Sequence, residues 1–132
     1  MRAGVICLSE RLPKHLDDAL YAARLALKFL AGHTLDDYRS DELLRSAVER
    51  QVEIVGEACR RALDDTASLR ERVPDAAKAI AMRNRLAHGY DTVDHGIVFN
   101  AVLLNFPPLA LALERELTEW ERSHPARPPG ES

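Results

Sequence analysis

Between positions 83 and 90 the chain concentrates polar chemistry: Arg83, Asn84, Arg85, His88 and Tyr90, directly after a stretch, residues 76–81, that is almost wholly apolar. An imidazole with an ordinary pKa of about 6.5 can take a proton from a hydroxyl near neutral pH and return one to a leaving oxygen. A guanidinium stays charged and can hold two oxygens of a phosphate, stabilising the charge that builds during displacement. An amide can donate to the same phosphate or fix the imidazole tautomer. Together these groups suit cleavage of RNA without a metal. His88 is the candidate acid/base, Arg83 the phosphate-stabilising cation and Asn84 their support. Arg85, Lys78, Arg70 and Arg72 are the candidates for a local basic patch.

Helix geometry attaches a condition. Asn84 and His88, four apart, share a helical face, whereas Arg83 and His88, five apart, differ by about 140°. Arg83 can cooperate with His88 through its long side chain, through distortion near Gly89, or across a dimer interface. The same residues also admit a purely structural reading, because Arg and His in a last turn oppose the helix's negative end and a following glycine is an ordinary stop. Spacing alone leaves both open.

The elements that must position this segment read as helices. Leu16, Ala19, Leu20, Ala23, Leu27 and Leu30 recur at three- and four-residue steps. They predict a helix over 13–31, with Pro13 in its first turn and Gly32 as its stop. Residues 34–39 read as a connecting turn, and Ser40 or Asp41 can cap a second long helix to about Leu63. Leu44, Ala47, Val48, Val52, Val55, Ala58, Cys59 and Ala62 form its apolar stripe. Gly56 interrupts that stripe at a cost of about 1 kcal/mol against alanine, which implies either a close neighbouring backbone or simple tolerance. Residues 64–73 read as a loop or short helix. A third helix is expected over 75–87, and a last one opens near Thr92 or Asp94. Pro107 and Pro108 are expected to break or kink that last helix. Residues 124–132 read as a disordered tail. The expectation is one all-α domain, residues 1–123, folded as an antiparallel bundle of about four to five helices.

Composition narrows the class. With 132 residues, 46% hydrophobic and 30% charged, the chain is too apolar for disorder. Its apolar runs fall short of the ~20 residues of a membrane span, so no membrane partner is expected. Glu10, Arg11 and Lys14 follow the apolar N-terminus too soon for a signal-peptide core, which points to a cytoplasmic location. Cys7 and Cys59 form neither a disulfide framework nor a CxxC site, and Cys59 is expected in the core. His15, His33, His95 and His124 lack metal-ligand spacing, so neither a metal nor another cofactor is expected. A net charge of -3 gives no global pull on a polyanion, so RNA contact must come from a local patch. Aromatic residues at 5% provide poorly for base stacking.

The segment Arg83-Asn84-Arg85-Leu86-Ala87-His88-Gly89-Tyr90 resembles the ribonuclease signature of the HEPN superfamily, and its Tyr90 matches the HepT-like branch. Ile54-Val55-Gly56-Glu57-Ala58 resembles that family's Ile-Gly-Glu-Ala core segment. Tyr90-Asp91-Thr92-Val93-Asp94 resembles its turn into the last helix, and Phe106-Pro107-Pro108-Leu109 its late proline break. The likeness spans residues 13–117 in the right order. It departs at Pro74-Asp75-Ala76, where members often carry tryptophan after the proline, and in an N-terminal extension.

The resemblance implies a helical-bundle RNA endonuclease toxin that works as a homodimer, with two copies of the motif in one cleft. Its candidate RNA pools are tRNA and mRNA. It implies a minimal nucleotidyltransferase antitoxin as partner, which neutralises the toxin by moving AMP onto Tyr90. Glu57 would then pair with an arginine of the site. A catalytically silent partner subunit that binds nucleotide or a nucleotidyltransferase is the competing expectation.

Overall fold

The computed structural model describes residues 2–88 and 94–125, with side chains from residue 11 onward. Among these residues every regular element is helical: α1 (Arg2–Leu30), α2 (Leu35–Ser40), α3 (Glu42–Asp65), α4 (Leu69–Arg72), α5 (Asp75–His88) and α6 (His95–Ser123). The bundle therefore has four long helices and two short ones, six rather than four to five. The expected tail lies outside the described residues beyond Pro125.

Helix α3 is the centre. It packs along both α1 and α5, while α1 also packs along α6. The connection from α1 to α3, residues 31–41 with α2 inside it, returns the chain so that α3 runs back along α1 and Arg61 of α3 comes beside His15 of α1. The contact is close because the buried face of α1 is rich in small residues: Ala19, Ala22, Ala23 and Ala26 are all fully buried beside Leu16 and Leu30. Opposite them α3 buries Val48, Val52, Val55, Cys59 and Ala62. This is most of its expected stripe, with Ala47 half-buried at its edge. Burial pushes the Cys59 thiol up to about 12 and leaves it inert as a nucleophile.

Three boundaries differ from expectation. Helix α1 begins at Arg2 and runs through Pro13, which lies inside it. The proline removes one backbone donor without ending the helix. Gly32 stops α1 as expected, in the left-handed region at φ 80, which a side chain would resist. Residues 34–39 are not a plain turn but open α2. Thr34 accepts from the Asp37 backbone N–H at 3.1 Å while the Asp37 carboxylate accepts from the Thr34 N–H at 2.9 Å, a capping box. This helix turns Tyr38 fully into the core, edge-on to His95 at 6.1 Å and tilted against Phe99 at 5.6 Å. Asp41 then caps α3 by accepting from the Leu44 N–H at 3.1 Å.

The third difference is α6, capped by Asp94 and continuous through Pro107 and Pro108. Both prolines are exposed, as are Leu103 and Leu104 one turn earlier. The carbonyls that lose donors thus belong to the outer side of the helix, where water replaces the missing partners. By length and composition alone α6 could cross a membrane, but half of its apolar window is buried in the bundle. Phe106, Leu109 and Leu113 supply that buried face.

The approach of α5 to α3 decides the open question at Gly56. A Cβ added at Gly56 would lie 2.2 Å from the Cβ of Arg83 and 3.0 Å from the Ala79 carbonyl oxygen. The glycine is there because α5 lies on it. Alanine at this position would gain about 1 kcal/mol of helix propensity. It would also force two stiff backbones apart, at about 1–3 kcal/mol. The net cost is up to about 2 kcal/mol, so Gly56→Ala is expected to lower the melting temperature, by up to about 8 °C. A thermal denaturation curve shifted upward would refute the packing account.

Candidate functional site

Arg83 leaves α5 directly above Gly56, so its side chain has to run along α3 rather than stand away from it. One residue further along α3 is Glu57, and the Arg83 guanidinium Nη2 lies 3.5 Å from its Oε1. Nη1 of the same guanidinium donates to the Asn84 Oδ1 at 3.2 Å. The side chain therefore bridges two faces of α5. It starts on the α3 side and ends at the residue one turn before His88. Asn84 and His88 are exposed and follow each other on one face, and α5 is regular to its last residue. Of the ways for Arg83 to approach His88, the long side chain is the one the described residues bear on. Gly89 and Tyr90 lie outside them.

Glu57 is shared. Its Oε2 accepts from Arg60 at 2.7 Å and from Arg61 at 3.0 Å, so three guanidinium groups converge on one carboxylate. The Arg60 hydrogen bond first, and Arg61 in addition, hold the Glu57 carboxyl down at about 2 against the opposing push of desolvation. Arg83 is the most loosely held of the three, since its contact is the longest. It keeps its orientation yet can exchange the carboxylate for another anion.

This cluster borders a groove of about 520 Å³ between α1, α3 and α5. Lys14 and His15 line it from α1, Arg50, Glu57 and Arg61 from α3, and Arg83 and Ala87 from α5. Of the basic residues expected around the motif, Arg83 alone lines it. Arg70 stands exposed on α4, Arg72 is paired with Glu116 of α6 at 3.0 Å, Lys78 lies 3.5 Å from Asp75, and Arg85 is exposed on α5. The cations beside the groove come instead from α1 and α3, and a reading along one helix could not find them. Their only local signal is the run Glu57, Arg60, Arg61, Asp64 at helical spacing. Among the described residues no group of His, Cys, Asp and Glu is arranged to hold a metal ion.

Residues 19–116 match the family model described as Ribonuclease HepT-like. The chain belongs to the HepT-like ribonuclease family of the HEPN superfamily. It is 30% identical over 101 residues to a probable ribonuclease HepT of Thermococcus cleftensis, covering 76% of this chain and 91% of that one. It is 29% identical over 96 residues to a putative RNase of Caldanaerobacter subterraneus subsp. tengcongensis, with 72% and 84% covered. It is 28% identical over 101 residues to a putative RNase of Methanocaldococcus jannaschii, with 75% and 90% covered. No solved structure matches the chain. The matched span runs from inside α1 nearly to the end of α6 and takes in Gly56, Glu57 and the whole of α5. The HepT-like segment thus includes everything that positions Arg83.

The lowered Glu57 pKa carries a pH signature. Because the folded value lies below the ordinary 4.5, the ion pairs contribute in full above about 4.5, and the contribution is lost as pH falls toward about 2. The partners are substantially exposed, so the gap is small, about 1 kcal/mol or less. In parallel denaturant titrations, Glu57→Gln is expected to be slightly less stable than the parent at pH 7. The two curves should merge between pH 4.5 and pH 2. A gap that persists unchanged to pH 2 would mean that the carboxylate's charge is not what these arginines need.

Proposed function

We propose that this HepT-like chain is an RNA endonuclease toxin that cleaves without a metal, through Arg83, Asn84 and His88. The observation that carries the proposal is the placement of the Arg83 guanidinium, anchored at Glu57 and extended to Asn84 on the face that also bears His88. A phosphodiester that replaces the loose Glu57 contact would meet a cation whose orientation is already set, which is how preorganised charge lowers a barrier. The 2'-hydroxyl adjoining that phosphate attacks phosphorus, the imidazole of His88 taking its proton. The P–O bond to the 5'-oxygen breaks and that oxygen leaves with a proton. The products are a 2',3'-cyclic phosphate and a 5'-hydroxyl. Asn84 steadies the guanidinium and offers its amide N–H groups to the phosphate.

Two copies of the chain would supply the second proton-transfer group, since each carries one copy of the motif and its exposed His88 is free to face a partner's. Control would come from a minimal nucleotidyltransferase antitoxin that transfers AMP to Tyr90, two residues past His88. An adenylated phenol so close to His88 in the chain would add bulk and negative charge to the motif and so oppose a substrate phosphate.

On total RNA and on tRNA with a chelator present, His88→Ala is expected to lose about 10²–10⁴ of the cleavage rate. Arg83→Ala should lose about 10²–10³. Equal inactivity of parent and variants would remove the enzyme reading and favour a silent partner subunit. A monomeric mass by light scattering at micromolar concentration would count against the two-copy site. Incubation with the antitoxin and ATP should raise the mass by one or more AMP in the parent but not in Tyr90→Phe; an unmodified parent would overturn that mode of control.

A further inference from the structure

The groove beside Arg83 does not end at Glu57. A second recess of about 520 Å³ shares His15 and Arg61 with the first and continues between α1 and α3 past Arg11, Arg60 and Asp64. Low-numbered residues of α1 face high-numbered residues of α3 there, so the two recesses form one channel running away from α5 along the α1–α3 seam. Cations occur along its whole length, with Arg83 at one end, Arg61 and Lys14 in the middle and Arg11 and Arg60 at the other, interleaved with the carboxylates Asp18, Glu53, Glu57, Asp64 and Asp65. A phosphate has to displace the exposed ion pairs that Asp18, Glu57 and Asp64 make.

We propose that this channel binds the phosphate backbone of a single RNA strand, with Arg61 and Lys14 holding phosphates next to the one at Arg83. The proposal deepens the nuclease reading and rests on it. Glu57 supplies the scale. Its carboxylate is reached by Arg61 Nε at 3.0 Å and by Arg83 Nη2 at 3.5 Å, so both guanidinium groups already serve one oxyanion of nearly phosphate size. A strand phosphate arriving at Arg83 therefore brings its neighbour within reach of Arg61. Among the described residues Lys14 is held by an exposed pair with Asp18 at 3.1 Å, which a phosphate can displace at little cost. Recesses of this size accept one strand's backbone and do not enclose a duplex. Among the described residues no Phe, Tyr or Trp lines either recess and His15 is the one ring there, so base stacking is poorly provided for and binding should follow charge more than sequence.

The test uses the full chain carrying His88→Ala, so that RNA is bound and not cut. Anisotropy of a labelled single-stranded oligoribonucleotide is titrated across a salt series. Adding Arg61→Gln, or Lys14→Gln, is expected to weaken binding several-fold at low salt and to reduce the slope of log affinity against log salt by about 0.7 for each lost phosphate contact. Lys28→Gln removes the same charge from the exposed last turn of α1, away from the channel, and serves as the control. Arg61 and Lys14 variants that match the control in affinity and slope would overturn the channel. In the cleaving parent background Lys14→Gln, which does not touch Glu57, should raise KM and spare kcat. Cleavage that persists with KM unchanged sinks the channel alone. Binding that depends on Arg61 in a chain that never cleaves sinks the nuclease reading and leaves the channel standing.

Discussion

Helix α5 can lie against α3 at Arg83 because residue 56 has no side chain. A Cβ there would meet the Arg83 Cβ at 2.2 Å, so the two helices touch through backbone and the root of one side chain. That contact does two things at once. It packs α5 onto α3, and it aims Arg83 along α3 toward Glu57 instead of into solvent. Packing and site geometry thus share one cause, and a methyl group would disturb both.

The charges around this contact matter for direction more than for stability. Arg60, Arg61 and Arg83 all address Glu57, but the guanidinium groups remain substantially exposed, where single ion pairs add little to folding. Their effect is to gather positive charge on a chain whose net charge is -3. Overall charge disfavours a polyanion, and this local clustering is the arrangement on which the proposed RNA contact rests. One carboxylate shared by three cations keeps those cations close together while leaving the longest contact, that of Arg83, the easiest to exchange.

The remaining elements hold this arrangement in place. Alanines on α1 let it approach α3 closely, Tyr38 pins the short α2 to the start of α6, and α6 backs α1 with Phe106, Leu109 and Leu113. Two of the basic residues outside the groove serve this scaffold, Arg72 of α4 and Lys78, which pairs with Asp75 at the start of α5. Arg72 ties α4 to α6 through Glu116.

Local periodicity and capping in the amino-acid sequence were enough to determine that α3, α5 and α6 exist, roughly where they start, and which face of α3 is buried. Those signals lie within a few residues of each other: Asp41 before α3, Asp94 before α6, a valine and alanine stripe between. The motif and its family resemblance were legible for the same reason. Other features depended on what stands opposite a residue in space. Residues 34–39 read as a turn because the N3 partner of Thr34 is an aspartate rather than the usual glutamate or glutamine. Pro107 and Pro108 read as a break because a local rule does not know that they face water. Gly56 was ambiguous until α5 was seen on top of it. The cations expected to accompany Arg83 lie near it in the chain, at Arg85, Lys78, Arg70 and Arg72, whereas packing brings up Lys14 and Arg61 from other helices. Spacing along a helix determines which side chains share a face; only the assembled bundle decides which faces meet, because that depends on backbones approaching where small residues allow it.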